Sequence, residues 1–361
     1  MENLSSPSLT AISIPSPLTT MPGGFYSSPF WAGYLETQRS KLPVLPDIDD
    51  GLSDCVVRIL GYNPGSMQLQ GTNTYLVGTG STRILIDTGE GAPQWAVSVT
   101  QYLEDHDICI SHVLLTHWHK DHTGGIADLL AHDPRITVYK HRPDPGQRAI
   151  ADGQTFKTQG ATLRAVLTPG HAIDHMCFML EEENALFTGD NVLGHGYSVA
   201  EDLEAYTASL RLMASLKCAV GYPGHGDVIR NLPQTIARYI AQRVAREKKI
   251  YAVLALHASS SRSSRNGSSA SSVGSASESG NSDDEEGNEM DMDEPAVQGL
   301  STTEIGGLVY GELAKDSATF DSAVGPLLNQ VLHMLLERGK VGSRVVGPDN
   351  TRHWFAAVQP L

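Results

Sequence analysis

From Val56 onward, short apolar runs recur between glycine-rich turns, and their length separates strands from helices. Val56-Val57-Arg58-Ile59-Leu60 and Thr74-Tyr75-Leu76-Val77 are β-type runs, and Arg83-Ile84-Leu85-Ile86-Asp87 reads as a buried strand that ends in an acid. A helix is expected near residues 93–106, then an apolar strand over 111–115. Strand, loop and helix go on alternating through 136–139, 162–167, 175–180 and 185–188. Such mixed order predicts a layered α/β domain with two sheets inside and helices outside.

After Gly226 the texture becomes helical. Ile236, Ile240, Val244, Tyr251 and Leu254 recur at helical spacing over 233–256, a long amphipathic helix. Residues 258–295 are Ser/Gly-rich and then acidic, a composition that buries too little apolar surface to offset ordering entropy. Periodicity returns at Ser301-Thr302-Thr303-Glu304, a helix cap, continues through 320–338, and gives way to two strands around Gly347-Pro348-Asp349-Asn350. Helices followed by a hairpin suggest a small winged-helix-like α+β module. At the other end, the first 24 residues are Ser/Thr/Pro-rich and read as disordered, with a short helix and proline-bounded exit over 29–46. The expected organisation is a disordered 1–24, the layered α/β domain over 25–257, a disordered linker over 258–298 and the winged-helix-like module over 299–361.

A chain of 361 residues exceeds the roughly 250–300 at which single cores stop growing, which fits two folded units. The formal net charge of -15 changes the picture less than it first suggests. Nine acids lie between Glu278 and Glu294, with only Arg262 and Arg265 nearby, so the imbalance is local. Even so, an acidic chain whose Arg338, Lys340, Arg344 and Arg352 are dispersed is poorly suited to neutralising nucleic-acid phosphates. Cys55, Cys109, Cys177 and Cys218 form no CxxC pair and read as buried free thiols in a reducing compartment. No signal-peptide core and no run of about 18 apolar residues appears, so an intracellular, cytoplasmic protein without a membrane span is expected.

The chemistry is concentrated in Thr116-His117-Trp118-His119-Lys120-Asp121-His122. A metal-dependent hydrolase must gather imidazoles and carboxylates at one point and leave a position open for water. A tight loop at a strand end fans His117, His119, Asp121 and His122 in different directions, enough to serve two ions. His171 follows Thr168-Pro169-Gly170, Asp190 follows Phe187-Thr188-Gly189, and His225 follows Tyr222-Pro223-Gly224. Each ends an apolar strand beside a glycine, where backbone can turn close to an ion. Imidazole with carboxylate suits zinc, with manganese and iron chemically open. Trp118 and Lys120 alternate with these residues and are expected to pack or face solvent.

The order HxHxDH, Gly-His, Gly-Asp, Gly-His resembles the ligand series of the metallo-β-lactamase superfamily. The resemblance implies an αββα sandwich and two zinc ions per chain. His117, His119 and His171 would hold the first, Asp121, His122 and His225 the second, and Asp190 would bridge. It also implies that Asp121 orients the attacking water and moves its proton. Asp87 would orient ligand histidines, or else simply cap its own turn; His175 and His195 are either pocket residues of the same kind or ordinary polar positions.

Within that superfamily, Gln70-Gly71-Thr72-Asn73-Thr74-Tyr75-Leu76-Val77-Gly78, Leu85-Ile86-Asp87-Thr88-Gly89-Glu90-Gly91 and the stretch Phe187 to Gly196 resemble a fungal lactamase-β-like branch. Pro29-Phe30-Trp31, Tyr139-Lys140-His141, Asp174-His175-Met176-Cys177-Phe178 and Ser198-Val199-Ala200-Glu201-Asp202-Leu203 are most similar to the atrochrysone carboxyl ACP thioesterases. That resemblance implies hydrolytic release of an aromatic polyketide from the acyl carrier domain of a non-reducing polyketide synthase. Two rival activities are an endoribonuclease acting on single-stranded RNA and a glyoxalase II-like thioesterase. The C-terminal module would be an interaction piece, docking the synthase or a second copy of the chain, which leaves a homodimer open.

Overall fold

In the computed structural model, residues 37, 40–65, 67–266 and 299–357 are described. The expected disorder at 1–24, most of the helix expected over 29–46 and the acidic part of the linker fall outside them. Two sheets form the body. The first has seven strands in chain order, β1 (Ile48–Asp49), β2 (Val56–Leu60), β3 (Asn73–Val77), β4 (Thr82–Ile86), β5 (Cys109–Leu114), β6 (Thr137–Lys140) and β7 (Arg148–Ala149). Its pairings are antiparallel up to β4 and parallel from β4 to β7. The second has five strands in the order β12-β11-β10-β9-β8: β8 (Thr155–Thr158), β9 (Ala161–Leu167), β10 (Met176–Leu180), β11 (Ala185–Gly189) and β12 (Val220–Pro223).

Side chains on a strand alternate between faces, and here both faces are covered, so the strands are apolar throughout rather than at every second position. Val56, Ile84, Ile86 and Leu114 of the first sheet meet Leu163, Ala165, Met176, Phe178 and Phe187 of the second. Their neighbours Val57, Leu85 and Val113 face outward, under Trp95, Val99 and Leu103 of α1 (Pro93–Asp105). On the far side Val166, Cys177 and Leu186 pack under α4 (Leu203–Leu216) and the start of α5 (Leu232–Asn266). Helix, sheet, sheet, helix is the layer order that results. Between β5 and β6 lie the short helices α2 (Lys120–Thr123) and α3 (Ile126–His132). The sequence pattern missed α4, whose start is capped by the Asp202 carboxylate accepting from the Glu204 and Ala205 amides.

Two expectations need correction. Helix α5 does not stop at Leu256 but runs on to Asn266, into the Ser-rich stretch assigned to the linker. Extending an existing helix is far cheaper than starting one, and the Ser259 and Ser260 hydroxyls donate to the carbonyls of Ala255 and Leu256, one turn back. The same helix also blurs the expected boundary at 257, because Ile250 and Leu254 are buried among C-terminal residues such as Ile305, Leu328, Leu332 and Trp354. Those residues come from α6 (Thr302–Tyr310), α7 (Gly325–Glu337) and a three-stranded sheet in the order β13-β15-β14, where β13 is Leu300–Ser301, β14 Val341–Val346 and β15 Thr351–Ala356. Ser301 and Glu304 form the expected reciprocal cap of α6. The second correction concerns the thiols: Cys55, Cys177 and Cys218 are buried, but Cys109, first residue of β5, is exposed.

Among the described residues no helix is long and apolar enough to cross a membrane. The packed interface between the sheets gives a direct stability expectation. Phe178 is fully buried there, so Phe178→Ala should cost about 3–5 kcal/mol of unfolding free energy, read as a lowered midpoint in chemical denaturation.

Candidate metal centre

Strand direction places the candidate residues together. The loops after β4, β5, β9, β11 and β12 carry Asp87, His117, His171, Asp190 and His225, and β10, running antiparallel to β9, begins just after His175. All of these chain ends open at one rim of the sandwich, which is where α/β sheets present ligand-binding loops. His119 is the N-terminal flank of α2, so Asp121 and His122 lie in its single turn.

Three overlapping clusters have donor atoms within 4.8 Å of one another: His117, His119 and His171; His117, His122 and Asp190; Asp121, His122 and His225. In the first, His119 Nδ1 lies 2.9 Å from His117 Nε2 and 3.2 Å from His171 Nε2. In the third, His225 Nε2 is 3.4 Å from Asp121 Oδ2. Asp190 stands between the groups, 3.5 Å from His122 Nε2, 3.6 Å from His171 Nε2 and 3.2 Å from His225 Nε2. All seven residues singled out as ligands therefore converge, with Asp190 between the His171 and the His122–His225 sides.

The donor chemistry fits divalent cations. His122 Nε2 and Asp190 Oδ1 are both buried, face each other and have no hydrogen-bond partner. Buried polar atoms are rarely left this way, and a shared cation satisfies both. Glycine at 224 keeps the space clear, since a Cβ there would come within 2.3 Å of Asp190 Oδ1 and 2.9 Å of His122 Cε1. Electrostatics agree. Burial holds His117 far below the usual imidazole range and brings His171 down to about 4, leaving neutral ring nitrogens. Burial opposes the charged form of His225 too, yet the Asp190 and Asp121 carboxylates outweigh it and raise this histidine to about 9. Asp190 is held low in turn, its desolvation overcome by His225 and His122.

Behind these side chains, Asp87 reaches both His122 and the start of the histidine loop. Its Oδ2 is 2.7 Å from His122 Nδ1 and accepts from the Thr116 hydroxyl at 2.8 Å, while Oδ1 accepts from the Thr116 amide at 2.8 Å. One carboxylate thus fixes His122 and the start of the histidine loop, at the cost of a left-handed backbone, φ 58°. His175 is buried and accepts from the Asp190 amide at 3.1 Å, fixing the backbone that carries the Asp190 side chain. His195 belongs to none of the three clusters. It is half-buried on the segment behind His225, where the Gly194 amide donates to the His225 carbonyl at 2.9 Å. Lys120 faces solvent, paired with Glu90 at 3.4 Å, whereas Trp118 is 49% exposed and contacts the His119 ring.

Two polar residues at the site were missed by sequence reasoning. Asn73 is buried in β3, and its Nδ2 donates to the carbonyls of Pro223 at 2.9 Å and Gly226 at 2.8 Å, clasping both sides of His225. Its own amide donates to the Gly224 carbonyl at 2.7 Å. Gln68 donates to Asp121 Oδ2 at 3.2 Å. Both stand near the Gln70-Gly71-Thr72 turn, which carried only a family likeness; nothing in a single asparagine or glutamine announces which loop it will clasp.

A family model described as the metallo-beta-lactamase superfamily matches residues 68–145 and 136–225. The chain belongs to the metallo-β-lactamase superfamily. It is 86% identical over 320 residues to Thioesterase pkgB of Emericella nidulans, covering 89% of this chain and 94% of that protein. Lactamase-like protein adaB of Aspergillus niger is 47% identical over 337 residues, 93% of this chain and 96% of that one. Among solved structures, a beta-lactamase domain protein from Burkholderia ambifaria shares the fold at 18% identity and a TM-score of 0.63, covering 91% of this chain and 97% of its own. A metallo-beta-lactamase family protein from Thermus thermophilus does so at 20% identity and a TM-score of 0.57, covering 85% and 100%.

The supporting contacts predict different losses. Asp87→Ala should weaken divalent-metal affinity by about 10–100-fold, and Asn73→Ala should weaken chiefly the Asp121–His122–His225 cluster, lowering the metal bound per chain in elemental analysis. Proton competition at His225 has a definite sign. Metal uptake must displace its proton below about pH 9, so apparent affinity should climb with pH by about tenfold per unit for that proton and level off above about pH 9, read with a competing chelator.

Proposed function

We propose that this chain is a zinc-dependent thioesterase that releases an aromatic polyketide, atrochrysone carboxylic acid or a close analogue, from the acyl carrier domain of a non-reducing polyketide synthase. The observation that carries this reading is the complete donor set in a chain 86% identical to a protein named as a thioesterase. The carrier domain, the aromatic acyl group and zinc itself rest on the motif resemblance and on ligand chemistry.

His117, His119 and His171 would hold one ion, Asp121, His122 and His225 the other, with Asp190 between them. Bound there, divalent cations supply the Lewis acidity that makes water a nucleophile near neutral pH and polarises a thioester carbonyl. The chain's own residues do the rest. Asp121 is held from two sides, by Gln68 Nε2 at 3.2 Å and His225 Nε2 at 3.4 Å, and its carboxylate sits far below the usual range despite burial because His122 and His225 stabilise the charge. Held as an anion, Asp121 would orient the attacking water and, once bound cations had made that water acidic, carry its proton to the departing thiolate sulfur. Asp87, His175 and Asn73 keep the donors in place through that transfer.

The C-terminal unit is tied to the site's supports. Gln330 Nε2 donates to the Ala200 carbonyl at 2.9 Å, and Arg338 pairs with Glu247 at 3.2 Å. Ala200 follows Val199, whose carbonyl is 3.1 Å from His171 Nδ1. Docking of the synthase on this unit is part of the proposal, and the contacts add a second duty as a brace for the His171 loop.

The test is to incubate the purified protein with a non-reducing synthase loaded with its octaketide, with and without chelator, and to follow free acid. Release should require metal, and His119→Ala or Asp121→Ala should lower it by about 10²–10⁴-fold while circular dichroism stays native. Undiminished release after chelation would contradict the reading. Cleavage of single-stranded RNA or of lactoylglutathione in place of the acyl carrier substrate would transfer the site to one of the rival activities.

A further inference from the structure

Two large apolar side chains flank the donor cluster without being buried. Trp118 is 49% exposed between two ligand residues, and Ile173 is 51% exposed two positions after His171. Single exposed apolar residues are ordinary on a protein surface; a pair of them at the edge of a polar site is a different matter. They lie on neighbouring loops, because the Trp118 amide donates to Asp174 Oδ1 at 3.3 Å. Each loop is anchored at its backbone, since the Ile173 amide donates to Glu201 Oε2 at 3.1 Å. Both side chains stay about half exposed beside these contacts.

The indole also meets a ligand. Trp118 and His119 rings lie 4.5 Å apart at 73°, an edge-to-face contact that leaves indole surface open to solvent. His119 presents Nδ1 toward His117 and His171, while its Nε2 faces Glu201 Oε1 at 3.9 Å. The apolar lip thus begins one side chain away from the reacting centre. The ionisable groups set against the lip are carboxylates, Glu201 and the buried Asp174, with Lys140 engaged by Asp144 at 2.6 Å behind them. A neutral planar group would lose water against indole and isoleucine here.

We infer that Trp118 and Ile173 form the acyl subsite, a lip that takes the flat apolar part of the acyl group while its thioester carbonyl lies among the metal donors. This rests on the thioesterase reading for the reaction, but the lip is a binding surface in its own right. Rigid aromatic side chains give large contact area at small entropic cost, which suits a fused-ring acyl group better than a short aliphatic one.

The test compares N-acetylcysteamine thioesters of 2-naphthoic acid and of acetic acid, hydrolysed by the zinc-loaded protein, its Trp118→Ala and Trp118→Phe variants, and Ile173→Ser. For Trp118→Ala the ratio of kcat/KM for naphthoyl over acetyl should fall by roughly tenfold, with most of it retained in Trp118→Phe and a smaller fall in Ile173→Ser. Zinc content should remain that of the unaltered protein. An unchanged ratio in Trp118→Ala would overturn the inference. Should the unaltered protein hydrolyse neither carrier-free thioester, the lip is judged by calorimetric binding of the naphthyl ketone analogue, with methylene in place of sulfur, and the thioesterase reading by release from the loaded synthase. Weaker binding to Trp118→Ala by roughly tenfold supports the lip, and equal binding overturns it.

Discussion

Burying carboxylates and imidazoles side by side is costly unless something of opposite charge or a shared proton joins them, and this fold does it at one point with Asp87, Asp121 and Asp190 among five histidines. Every other feature of the rim follows from managing that expense. Backbone amides and hydroxyls are spent on the carboxylates, as at Asp87, and the rings are turned by contacts on their far nitrogens, as at His122 and His171. What remains unsatisfied, His122 Nε2 and Asp190 Oδ1, points inward at the same place. A divalent cation satisfies a lone pair on imidazole and on carboxylate together.

The scaffold makes this affordable only because the donors sit on strand ends rather than on long excursions. Parallel pairing of β4 with β5 and of β11 with β12 aligns their C-terminal ends, and the antiparallel β9–β10 pair adds one more at the same level. The two sheets are locked by apolar packing, and across their rim Asn73 and Tyr75 of β3 both reach the Pro223 carbonyl of the other sheet. The geometry of the second donor cluster is therefore a property of both sheets, not of the His225 loop alone.

Much of this was legible in the chain. Strands buried on both faces read as unbroken apolar runs, and histidine or aspartate beside glycine at their ends marked the donors, because close backbone turns leave a sequence signature. The features that escaped depend on tertiary partners. Asn73 and Gln68 look like any loop or strand amides until the His225 loop and Asp121 are brought to them. Exposure of Cys109 goes with its place as the first residue of β5, which its apolar neighbours disguise. Helix α5 outran its apolar repeat, since serine hydroxyls satisfied by the preceding turn let it continue where composition pointed to a linker. Trp118 was read by alternation alone, and only the Asp174 contact reveals that its loop is fixed with the indole outward.

The central claim is a pair of ions held by imidazole and carboxylate alone. X-ray absorption at the zinc edge of the reconstituted protein measures this directly. The account predicts an inner shell of nitrogen and oxygen near ~2.0–2.2 Å, imidazole scattering beyond it, and a metal–metal distance of roughly 3.5–4 Å. Sulfur at about 2.3 Å, or a single ion with no metal neighbour at full loading, would contradict it.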